Sequence, residues 1–201
     1  MILDLLILLP YTYYLYTIVR ALQQPAAATT DVGEMVTLLT MYAGALVSVV
    51  YVYALGLPLI MRMALPLFAV GFASVIALSL HRMPVSRQRL YLLVALVWVH
   101  VLWGCGFILT AFYPIQVGYM FGLLGVLLQT IASLRWRLWL PGVRSPEYLL
   151  VEGGAVAIEA IYAVGKNLPV PSLLLCASYA AVFLIELWRF FFPCTPAKQN
   201  P

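Results

Sequence analysis

Two glutamates in one apolar segment are the side chains of this sequence best placed for chemistry. Glu152 and Glu159 lie seven positions apart, which is two helical turns, so a helix puts both on one face. Between Met35 and Pro146 the chain has no aspartate or glutamate. An ionisable group in the middle of a membrane costs on the order of 2.5–3.5 kcal/mol, and such groups usually have a function. Glu159 is therefore a candidate functional residue, with the alternative that it only fixes packing by bonding to Tyr162.

A single histidine gives the second candidate. His100 lies at the centre of another apolar run, between Trp98 and Trp103, where it can bond two helices together or relay protons. His81 is 19 positions away, which does not allow a metal pair on one helix. The cysteines show no CxxC spacing: Cys105, Cys176 and Cys194. We therefore predict no metal site and no cofactor.

The composition decides the class of protein that must position these residues. Of 201 residues, 65% are hydrophobic and 9% are charged, and the mean hydropathy is +1.02. Ordinary globular domains are about 45–50% apolar and about 25% charged. This excludes a soluble enzyme and a nucleic-acid-binding module. We predict one domain, residues 1–201, embedded in a lipid bilayer, either the plasma membrane or an organellar membrane such as the mitochondrial inner membrane.

Seven segments are long enough to cross a bilayer, which takes about 20 apolar residues. They lie near 2–22, 35–56, 58–80, 90–111, 116–134, 148–166 and 170–192. If the N-terminus is outside, the inner loops and ends hold nine of the eleven lysines and arginines. Such a bias follows the positive-inside rule. We predict an all-α polytopic protein with seven transmembrane helices, its N-terminus outside and its C-terminus inside.

The spacing of the spans repeats in a 3+1+3 pattern. Residues 1–80 would form one three-helix repeat, 90–111 a connector helix, 116–192 a second repeat and 193–201 a polar tail. The best local match pairs Tyr53-Ala-Leu-Gly56 with Tyr162-Ala-Val-Gly165, at an offset of 109. Three spans per half and one connecting helix allow the two repeats to be parallel.

Residues 118–192 resemble the second half of the SWEET / PQ-loop superfamily of seven-helix transporters. The family's entry to helix six is similar to residues 144–149, Arg-Ser-Pro-Glu-Tyr-Leu, and its Trp-x-x-Tyr-Gly motif aligns with residues 159–163. Its Pro-Asn motif on helix seven aligns with Pro171-Ser172. Glu159 would thus replace the pocket tryptophan and Ser172 the pocket asparagine, and no asparagine occurs in helix three.

The resemblance implies an alternating-access carrier for a small polar solute, with a pocket between the two halves. The candidate pocket residues are Tyr53, His100, Glu159, Tyr162 and Ser172. A glutamate in place of the tryptophan favours a cationic or proton-coupled solute over a neutral sugar. As a carrier, the chain would not be an enzyme.

Two other functions stay open. Ile158-Glu159-Ala-Ile-Tyr162 is also similar to the Trp-Glu-x-x-Tyr element of membrane-bound meroterpenoid terpene cyclases, which implies Glu159 as the proton donor. The second acid of those enzymes has no clear counterpart in this sequence, and Glu186 is the one candidate for it. Alternatively, the chain is a non-catalytic subunit of a larger membrane complex, held by membrane-protein partners that would also order the tail 193–201. It could also form a homo-oligomer.

Overall fold

The computed structural model describes residues 2–23, 31–139 and 145–192, which form helices joined by short turns. The predicted polar tail, with Cys194, lies outside the described residues. The helices are α1 Ile2–Leu6, α2 Leu8–Gln23, α3 Val32–Ala54, α4 Leu59–Arg82, α5 Arg87–Thr110, α6 Pro114–Trp139, α7 Pro146–Gly165 and α8 Val170–Phe191. Six of them, α3 to α8, are long and apolar enough to cross a membrane. The chain is therefore an all-helical, multi-pass membrane protein.

The first predicted span is interrupted near its start. A turn at Ile7 separates α1 from α2, where the sequence predicts one helix over 2–22. Pro10 explains the break, because it has no N–H to donate to the Leu6 carbonyl and its ring crowds that oxygen. The short α1 can therefore lean on α7 independently of α2.

The helices begin differently at the two ends of the bundle. At the end where α3, α5 and α7 begin, side-chain oxygens cap the free N–H groups of the first turn. These capping residues are Asp31, Ser86 and Ser145. We call this the basic end, because it holds the arginines Arg82, Arg87, Arg89, Arg135 and Arg189. At the opposite end, called the far end, α4, α6 and α8 begin at or next to a proline: Pro58, Pro114 and Pro169.

Two tight hairpins at the far end, α3–α4 and α7–α8, share one backbone conformation. Gly56 has φ 60° and Asn167 has φ 49°, the left-handed region in which glycine and asparagine are favoured. The backbone bonds match at positions 111 residues apart: Leu55 to Tyr51 with Lys166 to Tyr162, and Leu57 to Val52 with Leu168 to Ala163. Tyr51 therefore corresponds to Tyr162. The sequence match at an offset of 109, which paired Tyr53 with Tyr162, is shifted by two residues.

The long helices form a closed ring in the order α3, α4, α2, α7, α8, α6 and back to α3, while α5 packs against α3 and α6 from outside. The closest pairing joins α3 and α6, and glycines allow it. A Cβ added to Gly44 would lie 2.7 Å from the Gln129 side chain, and one added to Gly125 would lie 2.7 Å from Ser48 Oγ. This seam fixes α3 and α6 against each other on one side of the ring.

Candidate functional site

A cavity of about 530 Å³ runs along the axis of the ring. Six helices contribute to its wall, and no described residue of α5 does. Each helix presents one stripe at helical spacing, as on α7: Tyr148, Glu152, Val156, Glu159 and Ala163. The lining is mostly apolar and aromatic, with a few polar groups at defined positions, which is typical of a small-molecule site.

The structure brings three of the five predicted pocket residues together and leaves two outside. Glu159, Tyr162 and Ser172 line the cavity. Tyr53 is on the exposed surface, where its hydroxyl donates to the Arg62 carbonyl at 3.2 Å. Its place at the cavity wall is taken by Tyr51, two residues earlier.

His100 joins the outer helix α5 to the ring. Its Nδ1 lies 2.8 Å from the Leu96 carbonyl and its Nε2 lies 2.9 Å from the Tyr42 hydroxyl. A carbonyl can only accept, so Nδ1 carries the proton, and in the neutral ring Nε2 accepts from Tyr42. This arrangement ties α5 to α3 and does not face the cavity.

One glutamine organises the polar part of the cavity wall. Gln129 Nε2 donates to the Gly44 carbonyl at 3.3 Å and to Ser48 Oγ at 3.0 Å. Its Oε1 accepts a short hydrogen bond from the Tyr179 hydroxyl. The amide thus links α3, α6 and α8. Both its nitrogen and its oxygen are hydrogen-bonded to other groups of the protein. Gln129 was not among the predicted pocket residues, although an amide inside an apolar span is a signal that the sequence contains.

A second polar link closes the same wall nearer the far end. The hydroxyls of Tyr51 and Ser172 are 2.7 Å apart and buried. They connect α3 to the start of α8, because Ser172 follows the proline-rich N-terminus of that helix.

Three carboxylates line the cavity at different depths. Glu34 is exposed where α3 begins, at the basic end. Glu152 is 3% exposed, and Glu159 is half-buried. The two α7 glutamates each lie about 9 Å from one end of that helix, and are about 10 Å apart along its axis. The described residues lining this cavity include no lysine, arginine or histidine.

Glu159 lines the cavity with a carboxyl group that has no polar partner among the described residues. In the part of the chain that the structure describes, its carboxyl group makes no hydrogen bond and no ion pair. Its electrostatic neighbours are Tyr11 of α2 and Cys176 of α8. Tyr11 packs edge-on against Phe68, with ring centroids 5.6 Å apart, and Tyr14 approaches the same ring at 6.2 Å. Glu159 therefore lies next to an aromatic wall formed by α2 and α4.

The far end of the cavity is closed. Ile7, Tyr162, Ala163 and Leu168 form a buried apolar cluster across it. Above that cluster, the Lys166 ammonium contacts both carboxylate oxygens of Asp4, at 2.8 and 2.9 Å, and the Tyr162 hydroxyl donates to the same carboxylate at 3.3 Å. At the basic end the exposed Glu34 belongs to the lining, so the cavity opens there.

The second acid proposed for a cyclase, Glu186, is buried but does not line the cavity. In the ranges 2–23, 31–139 and 145–192, no three histidine, cysteine, aspartate or glutamate side chains group as metal ligands. No protein-family model, no curated protein and no solved structure matches this chain. The residues of the cavity are therefore what indicates its chemistry.

Proposed function

We propose that the chain is a carrier for a small polar solute, which binds in the cavity between two three-helix halves of SWEET-like arrangement. The observation that carries this proposal is the cavity itself. It has six contributing helices, a closed far end and an open basic end. A carrier needs a central site that opens to one side at a time, and such a site closed at one end fits one of its states.

The order of the helices supports two repeats. In the first half α4 packs between α2 and α3, and in the second half α8 packs between α6 and α7. Several lining positions also correspond at the hairpin offset of 111: Met41 and Glu152, Ala45 and Val156, Ser48 and Glu159, Tyr51 and Tyr162. We propose that residues 1–80 and 116–192 are parallel repeats connected by α5, with α1 and α2 as the first of seven spans.

The distribution of charge supports the orientation. The described arginines other than Arg62 cluster at the basic end, whereas Arg62 and Lys166 are at the far end. The positive-inside rule then places the basic end inside and the N-terminus outside. The cavity described here would be the inward-open state of the carrier.

Filling the cavity tests the carrier directly. Val126 of α6 lines the cavity, whereas the next residue, Leu127, is exposed on the outside of the ring. We expect Val126→Trp to reduce solute counterflow in proteoliposomes by at least about 10-fold, because the indole occupies the binding space. Leu127→Trp adds the same group to the lipid-facing surface and should leave counterflow unchanged.

The assay uses radiolabelled sugars, amines and amino acids as probe solutes, with melting temperature in detergent as the control for folding. No counterflow of any of them by the unmodified protein would contradict the proposal. Equal counterflow by the two tryptophan variants would also contradict it, because transport would then bypass the cavity.

One observation favours a second candidate, an intramembrane cyclase. The carboxyl group of Glu159 has no hydrogen-bonding partner among the described residues and lies next to Tyr11, which packs on Phe68; it could protonate the terminal double bond of a polyene. The aromatic faces would then stabilise the cation until it loses a proton and the rings are closed. A farnesyl-substituted phenol, incubated with the protein and examined by mass spectrometry and NMR, would be isomerised by a cyclase and unchanged by a carrier.

The exposed α5 favours a third candidate, a subunit of a membrane complex. Much of its outer surface is apolar, including Val97, Trp98 and Ile108, and it fits either lipid or another membrane helix. Extraction in mild detergent tests this alternative. A particle far heavier than 22.3 kDa plus its detergent, containing other proteins, would support a subunit.

A further inference from the structure

We infer that the cavity binds an organic cation: an amine on an apolar or aromatic body, without an acidic group. Its nitrogen would lie at Glu159 and its body against the aromatic wall of Tyr11, Tyr14 and Phe68. This inference rests on the proposed carrier function for the passage of the amine across the membrane. The binding of the amine does not depend on the carrier function.

The charged groups of the lining favour a cation. Glu34, Glu152 and Glu159 line the cavity, and none of the described lining residues is a lysine, arginine or histidine. Lys166, at the closed far end, does not line the cavity and is engaged with Asp4. A low-dielectric cavity whose described lining has carboxyl groups and no cationic side chain favours a cation over an anion.

Glu159 is the anchor among the three carboxylates. Glu34 is exposed at the mouth, where solvent screens its charge, and Glu152 is almost fully buried and already interacts with other groups of the protein. Glu159 faces the cavity without a hydrogen bond or ion pair among the described residues. A carboxyl group held in this way inside a membrane is stabilised by a ligand that supplies the missing donor.

The aromatic wall selects the kind of cation. Tyr11 is close enough to Glu159 for electrostatic interaction and also packs against Phe68. An ammonium group next to Glu159 would therefore lie beside Tyr11, at the edge of an aromatic cluster, and aromatic rings attract alkylammonium ions. The long apolar lining beyond these rings accommodates a hydrocarbon or aryl body.

The polar groups of the wall disfavour two other solutes. A sugar needs several free donors and acceptors, but Gln129 is bonded to Gly44, Ser48 and Tyr179, and the Tyr51 and Ser172 hydroxyls are bonded to each other. An amino acid would bring a second carboxylate into a lining without described cations. An amine lacking a carboxylate avoids both problems.

Four ligands with one phenyl body test the inference: phenethylamine, 2-phenylethanol, phenylalanine and 3-phenylpropanoate. Binding to the detergent-solubilised full chain is measured by calorimetry at constant pH and salt. We expect phenethylamine to bind at least 10-fold more tightly than each of the other three. Glu159→Gln should remove this preference, whereas Glu147→Gln, at an exposed position outside the lining on the same helix, should retain it.

The inference is overturned if 2-phenylethanol or phenylalanine binds the unmodified protein as tightly as phenethylamine, a comparison that needs no variant. It is also overturned if folded Glu159→Gln protein keeps the preference for the amine. Flux of phenethylamine into proteoliposomes is measured separately. If the protein binds phenethylamine selectively but transports none of the probe solutes, the carrier is rejected and the cation site is kept. If it transports a sugar but does not prefer the amine in binding, the cation site is rejected and the carrier is kept.

Discussion

Gly125→Leu is expected to lower the melting temperature of the protein in detergent by roughly 5–10 °C, through about 1–3 kcal/mol of overpacking. Gly125 lies on α6 in the seam with α3, where an added Cβ would be 2.7 Å from Ser48 Oγ. The larger side chain forces the two helices apart and strains the Gln129 link to Ser48. The α3–α6 seam depends on close packing of this kind.

Gly154→Leu is the matched control for this prediction. Gly154 lies within α7, but an added Cβ there meets no atom within 4 Å. Leucine is the better helix former, so this variant should melt at the same temperature as the unmodified protein or higher. If both variants lose the same stability, the cost is a general property of glycine replacement and the α3–α6 seam is not the closest contact of the fold.

The sequence was sufficient for the class of fold because a single strong effect determines it. A chain that is 65% hydrophobic can satisfy its backbone inside a membrane only as helices or a closed barrel, and the apolar runs were long enough for helices. Most helix ends were also predictable from local chemistry. Ser145 before Pro146, for example, is a cap followed by a proline in the first turn.

The register between the two far-end hairpins could not be obtained from sequence letters. A match of Tyr, Ala and Gly suggested an offset of 109, whereas the hairpin backbones correspond at 111. The relevant equivalence is between Gly56 and Asn167, two different residues that share a left-handed conformation. That conformation is a backbone property, and the hairpin register pairs Tyr162 with Tyr51, while Tyr53 is exposed on the surface.

The sequence predicted only part of the candidate site. Glu159 could be found because a carboxylate in an apolar span is rare. Tyr11, Phe68 and Cys176 are common residue types on three different helices, and only the packing of the ring brings them to the same cavity. Asp4 and Lys166, 162 positions apart in the sequence, gave no signal of their pairing.

In the proposed carrier, covalently joining positions 4 and 166 is expected to abolish transport. If the far end must open for solute to pass, α1 and the end of α7 have to separate there, because the Asp4–Lys166 pair spans the two elements. The test protein carries Asp4→Cys and Lys166→Cys in a background without the native cysteines. A short crosslinker with two thiol-reactive methanethiosulfonate groups should reduce counterflow by at least about 20-fold, and a reductant should restore it.

Loss of the ion pair without a crosslink should not block transport. The comparison therefore separates the effect of the crosslink from the effect of removing the ion pair. Both side chains are partly exposed, 29% for Lys166 and 39% for Asp4. Exposed ion pairs contribute little to stability, so the double cysteine variant without crosslinker should transport at a rate within about 5-fold of its background. The apolar cluster around Tyr162 and Leu168 still closes the far end, and in the proposed carrier it separates when that end opens. If the crosslinked protein transports at the same rate as the uncrosslinked protein, solute leaves the cavity by another route. Single-cysteine variants treated with the same reagent control for modification of each site. A crosslink that blocks flux but leaves amine binding from the basic end unchanged would separate the gate from the binding site, as a carrier that alternates between two openings requires.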